Sequence, residues 1–216
     1  MISRIFRMNV KRTWAKLTLV FLGMILISSC GFGSRSSYRV NQYTLEYSPP
    51  EFKEQTAIDE LLRVERFSVS QTYNTSAMIY KEGPHLRNVD PYNRWRTKPG
   101  EMTTENLVRD LRNSGLFRGV ISYSDTGNVR YLLEGQVDEF LELSEQNGMA
   151  LLSLNVTLVD LKKSSAADRM IFQRDYKVAE PCTEKTPAGL AQAMSRAMRE
   201  ISRQILVDLQ KELKSR

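Results

Sequence analysis

The chain has 216 residues, 41% apolar and 26% charged, with 31 Lys and Arg against 25 Asp and Glu. That length suits one or at most two domains. The balance excludes collagen-like, disordered and multi-span membrane classes, because no stretch is long, apolar and uncharged enough for an ordinary spanning helix. The single histidine, His85, excludes zinc sites built on two or three imidazoles of one chain and leaves a histidine-based triad only one possible base.

The net charge of +6 is unevenly placed. Residues 1–29 hold Arg4, Arg7, Lys11, Arg12 and Lys16 and no acid, so the 31 basic residues less these five leave 26 against 25 acidic ones. A body so close to neutral offers no basic field for a nucleic acid, and none is expected as a partner. Behind the basic residues, 17–27 is an apolar run of eleven residues. It is too short to span a bilayer as a stable helix and has the length of the hydrophobic region of a secretory signal.

That run closes on Ile27-Ser28-Ser29-Cys30, an aliphatic residue and two small ones before a cysteine, and resembles a bacterial lipobox. The resemblance implies a signal peptide over 1–29, cut just before Cys30, whose sulfur carries a diacylglyceryl thioether and whose new amino group is acylated too. The other reading, an anchor helix that happens to contain a cysteine, has marginal apolar length. Several acyl chains on one residue give stable anchoring where a single chain would be reversible. Gly31 follows, where an Asp would signal retention in the inner membrane of enteric-type bacteria, so the expected address is the outer membrane, facing the periplasm. Residues 30–37 are the lipidated cysteine and a flexible Gly-Phe-Gly-Ser-Arg-Ser-Ser tether, which reaches at most about 25 Å.

From 38 to 216 no repeat, low-complexity block or Pro/Gly/Ser linker divides the chain, and period-two patterning dominates. The expected class is α+β: a single domain with a mixed, mostly antiparallel sheet and two helices packed on it. Strands are predicted over 39–47, 61–69 and 77–81. The stretch 83–100 has no clear periodicity and reads as a long loop. The first helix follows Pro99 and Gly100, with Thr103 or Thr104 as cap and Leu107, Val108 and Leu111 as apolar stripe. Gly115 sits where a left-handed closing residue belongs, and Leu116 and Phe117 can fold back on the stripe. A strand over 119–124 completes a strand, helix, strand crossover.

Three further segments form a predicted antiparallel meander. Leu133 and Val137 alternate with Glu134, Gln136 and Asp138; Leu152, Leu154, Val156 and Leu158 alternate with Ser153, Asn155 and Thr157; Met170, Phe172, Tyr176 and Val178 follow. Asn147-Gly148 supplies the first turn and 162–168 the second connection. The last helix runs over 187–213, with Leu190, Met194, Ala197, Ile201, Ile205 and Leu209 recurring at helical spacing. Its ordinary fate is packing onto the sheet; the other reading of a Met- and Arg-rich amphipathic helix is a membrane-surface element.

Residues that could carry chemistry are few. Nucleophile elbows, phosphate loops, dinucleotide fingerprints and paired metal ligands are absent from the sequence, so no catalytic residue, metal or cofactor is expected. Asp138, Glu139 and Glu142 read as a solvated charged edge, with the first two on opposite faces of a strand. His85 reads as an exposed imidazole in a loop. Cys182 has no disulfide partner once Cys30 is a thioether, and reads as an inert or half-buried thiol. The distinctive set is Tyr92, Arg94, Trp95 and Arg96 in the 83–100 loop. Planar guanidinium groups beside aromatics suit contact with acidic head groups or a protein partner. The bland account is Trp95 anchoring the loop in the core with solvated arginines.

These residues also resemble a family. Tyr43-Thr44-Leu45, Val64-Glu65-Arg66-Phe67, Met78-Ile79-Tyr80-Lys81, Tyr92-Asn93-Arg94-Trp95, Pro99, Leu107, Leu111, Ser114-Gly115-Leu116-Phe117, Val120, Leu132-Leu133-Glu134 and Phe140 stand in the order found in ABC-type transport auxiliary lipoproteins, the paraquat-inducible protein C-like group. The resemblance covers nearly the whole chain after the lipobox. It departs at Asn93, where the family often has His, and at Lys98, which precedes a single Pro99. What it implies is a non-catalytic periplasmic lipoprotein that docks an inner-membrane ABC transporter and its MCE-domain protein to the outer membrane in phospholipid transport, with a homo-oligomeric ring as one assembly. Two other readings stand beside it: a lipoprotein assisting outer-membrane assembly such as lipopolysaccharide insertion, and an envelope hydrolase.

Overall fold

The computed structural model describes residues 38–52, 57–146 and 148–214. The 1–29 leader, Cys30 and the tether therefore lie outside the described residues, as does Asn147 of the expected first turn. In chain order the elements are β1 (Asn41–Tyr43), β2 (Ile58–Val64), β3 (Ser68–Val69), a 3-10 turn (Gln71–Tyr73), β4 (Ala77–Lys81), β5 (Arg87–Trp95), α1 (Pro99–Ser114) and β6 (Phe117–Ser122). They continue with β7 (Tyr131–Leu143), a second 3-10 turn (Ser144–Gln146), β8 (Met149–Asp160), α2 (Ala166–Arg169), β9 (Met170–Pro181) and α3 (Pro187–Lys214). Residues Arg39–Arg216 make one compact unit, α+β with a single mixed nine-stranded sheet.

β7 is the spine of that sheet. Along one edge it pairs antiparallel with β8 over its full length, from Tyr131↔Asp160 to Leu143↔Met149, and β8 pairs antiparallel with β9. Along the other edge it takes three parallel partners in succession: β2 at Tyr131 to Leu133, β3 at Gln136 and Val137, and β4 at Glu142 and Leu143. β6 adds to β2 in parallel, and β5 and then β1 add beyond β4. The expected meander is therefore present, and its antiparallel ladders are the longest in the sheet.

Local chemistry explains the boundaries. The predicted strand over 39–47 shortens to β1 because the chain then leaves the sheet: Glu46 N–H donates to Ser195 Oγ at 3.1 Å on α3, and Leu45 enters the core. The predicted 61–69 strand begins earlier and splits. Phe67 N–H turns away from the ladder to donate to Thr104 Oγ1 at 2.9 Å, which separates β2 from β3. α1 starts at Pro99 with Lys98 flanking it, not at a threonine cap. Proline suits the first helical position, where its missing N–H has no partner to lose. Thr104 instead sits one turn inside, donating to Gly100 O at 2.7 Å, and so braces the Phe67 corner. The other end is as expected: Gly115 is left-handed at φ 66°, Ser114 Oγ donates to Leu111 O, and Leu116 and Phe117 are buried.

α1 carries the chain from β5 to β6 at the far side of the sheet, and the intervening ladders make those two strands antiparallel. α3 covers β8 and β9. Its stripe of Leu190, Met194, Ala197, Ile201, Ile205 and Leu209 is fully buried, the core-packing outcome. Each of the larger side chains contributes about 1.5–3 kcal/mol by leaving water. Two ties fix the helix to β9: Tyr176 Oη donates to Asp208 at 2.8 Å, and Arg174 pairs with Asp208 and Glu212. The short helix α2 lies in the expected second connection.

Candidate functional site

The segment expected as a long loop, 83–100, contains the nine-residue strand β5. Its period is hidden by an interruption at Asp90-Pro91-Tyr92-Asn93. Asp90 Oδ1 accepts the N–H groups of Tyr92 and Asn93, both at 2.8 Å, an Asx turn that replaces ladder bonds Pro91 cannot donate. The ladder with β4 shifts register there, and Pro91 and Tyr92 stand out into solvent. The turn is held from below: Asn93 Nδ2 donates to Asp90 Oδ2 at 3.0 Å, Tyr80 Oη to the same oxygen at 3.3 Å, and Asn41 and Tyr43 both donate to Asn93 Oδ1. Burial acts to raise the Asp90 carboxyl, but donation from the Asn93 amide and the two backbone N–H groups holds it below the usual range. Burial, then Asp90 and Glu142, push the Tyr80 phenol up.

Strand alternation separates the four residues singled out from the sequence. Trp95 pairs with Tyr43 on the core side, is 3% exposed, and meets Phe140 edge-on at 5.1 Å between ring centres. It is a core anchor. Arg94, opposite Gln42, and Arg96 lie on the other face and are exposed, as is Tyr92. The structure therefore brings Tyr92, Arg94 and Arg96 together at one surface and takes Trp95 out of it.

What distinguishes this surface is its charge bookkeeping. Elsewhere several arginines are neutralised by carboxylates, among them Arg66 with Glu101, Arg118 with Asp59, Arg130 with Glu60 and Asp160, and Arg174 with Asp208 and Glu212. Among the described residues Arg94 and Arg96 have no carboxylate partner, and Arg87 on the same strand bonds only the carbonyls of Pro84 and Leu86. Beside them are exposed apolar side chains the sequence reading missed: Val89 at 60% exposed, Leu86 at 51% and Val40 at 43%. No period-two signal links these residues in the sequence, because the turn at Asp90–Asn93 shifts the alternation between Val89 and Arg94.

The other candidates do not assemble into a reaction centre. His85 is exposed in the β4–β5 hairpin. Asp138 and Glu139 do not take opposite faces, because a bulge between Val137 and Glu139 resets the alternation; Asp138 accepts from Gln136 and Glu139 pairs with Lys177. Glu142, expected on a solvated edge, is 8% exposed. Burial raises its carboxyl, with Lys185 opposing. Cys182 is half-buried, and burial followed by the Glu142 charge pushes its thiol up, away from the thiolate. Among the described residues, no three of His, Cys, Asp and Glu are grouped to hold a metal ion, and no helix is long and apolar enough to cross a membrane.

A second surface feature is an open groove of about 620 Å³ between α3, Pro50-Glu51 and the end of β9. Arg196 there is tied to Glu180, and Arg203 to Glu200, whose carboxyl the Arg203 guanidinium draws down to about 2. Its charges are thus largely spent on one another.

Comparison with known proteins bears on the whole body. The family model described as ABC-type transport auxiliary lipoprotein component matches residues 43–206, from β1 into the last third of α3. No curated protein sequence matches the chain. Among solved structures, a Xanthomonas campestris protein assigned to the family DUF330 is 17% identical, with 82% of this chain and 98% of that one covered at a TM-score of 0.72. An uncharacterized protein is 14% identical over 79% and 99%, at 0.63. At these identities the likeness is one of fold.

Proposed function

Because the chain belongs to the ABC-type transport auxiliary lipoprotein family, we propose that it is a non-catalytic adaptor. Anchored through acylated Cys30 to the outer membrane and facing the periplasm, it docks an ABC transporter and its MCE-domain protein for phospholipid transport between the membranes. The observation that carries the reading is the extent of the family match, which takes in the sheet, α1 and most of α3. The surface is of the kind contact requires: Tyr92, Arg94 and Arg96 are displayed on a braced turn and strand.

Crosslinking in living cells tests it. An MCE-domain protein should be recovered with the wild-type chain. Recovery of an outer-membrane β-barrel protein in its place would favour a role in outer-membrane assembly. Loss of function in His85→Ala, with folding and anchoring intact, would favour a hydrolase.

A further inference from the structure

We propose that the β1–β5 face of the body seats directly on an anionic phospholipid surface, with Val89 and Tyr92 entering the head-group layer and Arg87, Arg94 and Arg96 meeting lipid phosphates. This names the ligand class of the surface described above and rests on the reading of Cys30 as the anchor.

Connectivity is the first reason. β1 begins eleven residues after Cys30, so Asn41 cannot lie farther than about 40 Å along a taut chain from the acylated sulfur. β1 is the strand nearest to Cys30 along the chain, and β5 is the strand it pairs with, so both lie within tether reach of the bilayer. Any affinity of this face for lipid acts at high effective concentration.

Chemistry is the second. The face is locally cationic in a body that is close to neutral, because one strand and its end carry three arginines, Arg87, Arg94 and Arg96, and none of them pairs with a carboxylate among the described residues. Asp90, the acid in the middle of β5, is turned the other way, its oxygens taken by Tyr92 N–H, Asn93 and Tyr80. A bilayer bearing acidic lipids supplies phosphates everywhere along such a face, and each arginine near it adds roughly fivefold to partition. Exposed apolar groups on the same face, Val89 and Val40 with the Tyr92 ring, reach the depth where amphipathic side chains settle. The Asx turn is braced by Asn93 and Tyr80, so presenting Tyr92 requires little ordering on contact.

The test uses Val89→Trp in the full acylated protein, reconstituted in vesicles of phosphatidylcholine alone or in equal parts with phosphatidylglycerol, both carrying brominated acyl chains. Intact mass first reports the acyl groups on Cys30. In the acidic vesicles the new tryptophan should be quenched and blue-shifted; Trp95, buried in the core, supplies a constant background. Arg94→Glu/Arg96→Glu in the same chain should reduce the quenched fraction at least fivefold. Salt at 1 M should do likewise, since screening shortens from about 10 Å at 0.1 M to about 3 Å. An acylated protein whose Val89→Trp emission is unquenched in acidic vesicles overturns the proposal, as does quenching indifferent to lipid charge. A blue shift that tracks protein concentration without bromine quenching overturns it in favour of a second copy of the chain. Should the mass show no acyl groups, the anchor reading fails, and the same chain carrying Trp14→Phe still reports contact of the body in these vesicles, as salt-sensitive quenching.

Discussion

Trp95 and its neighbours show how one residue of register decides a role. Its indole fills the core against Phe140 while Arg94 and Arg96 point to solvent. Trp95→Ala is therefore expected to lower stability by about 3–5 kcal/mol in denaturant unfolding. Arg94→Glu/Arg96→Glu should stay within about 0.5 kcal/mol for each exposed site. Glu142 gives a prediction in pH. Burial holds its folded carboxyl above the ordinary 4.5, so the folded chain keeps that proton more tightly than the unfolded one. Its contribution is most favourable at low pH and falls as pH rises from about 4.5 through the raised folded value, then levels off. Glu142→Gln should flatten this part of the stability profile measured from about pH 4 to about pH 8, and raise the unfolding midpoint at neutral pH.

At the scale of elements, the corner between β2, β3 and α1 is set by one ring. Phe67 is 2% exposed and lies over Gly135 of β7, where an added Cβ would come within 2.3 Å of its ring. The same residue closes on α1, since a Cβ at Gly100 would meet Phe67 O at 2.5 Å. Gly135→Val should cost at least about 1–3 kcal/mol by over-packing. Adding Phe67→Leu should recover part of that loss, a coupling readable in a double-mutant cycle of urea midpoints. The sequence shows Gly135 only as a gap in an alternating strand. Its reason lies in a side chain 68 positions earlier. The crossing of β5 was illegible for a related cause: Pro91 and Asn93 are poor strand residues, and only donors from Tyr80, Asn41 and Tyr43 make the turn compatible with pairing on both sides.

For the whole molecule, charge is unevenly divided along the chain. Residues 1–29 account for most of the net charge, and the rest of the chain keeps a near balance that is locally broken on β5. Cys30→Ala should abolish acyl labelling and leave a precursor of higher mass outside the outer-membrane fraction, read by metabolic labelling and sucrose-gradient fractionation; undiminished labelling would refute the assignment of the thioether. α1 and α3 pack on the sheet, and the β1–β5 end displays the exposed Val89, Arg94 and Arg96.

The sequence by itself determined what short-range periodicity encodes: the β7–β9 meander, the buried stripe of α3 and the left-handed closure at Gly115. It also held the family likeness, since that is an order of motifs along the chain. Only the tertiary structure decided that β7 has three successive parallel partners, that Glu142 is buried, and that Trp95 is parted from Tyr92, Arg94 and Arg96. It alone decided which arginines go without an acid. Those outcomes depend on residues brought together from distant parts of the chain, and neither a period of two nor one of 3.6 carries that information.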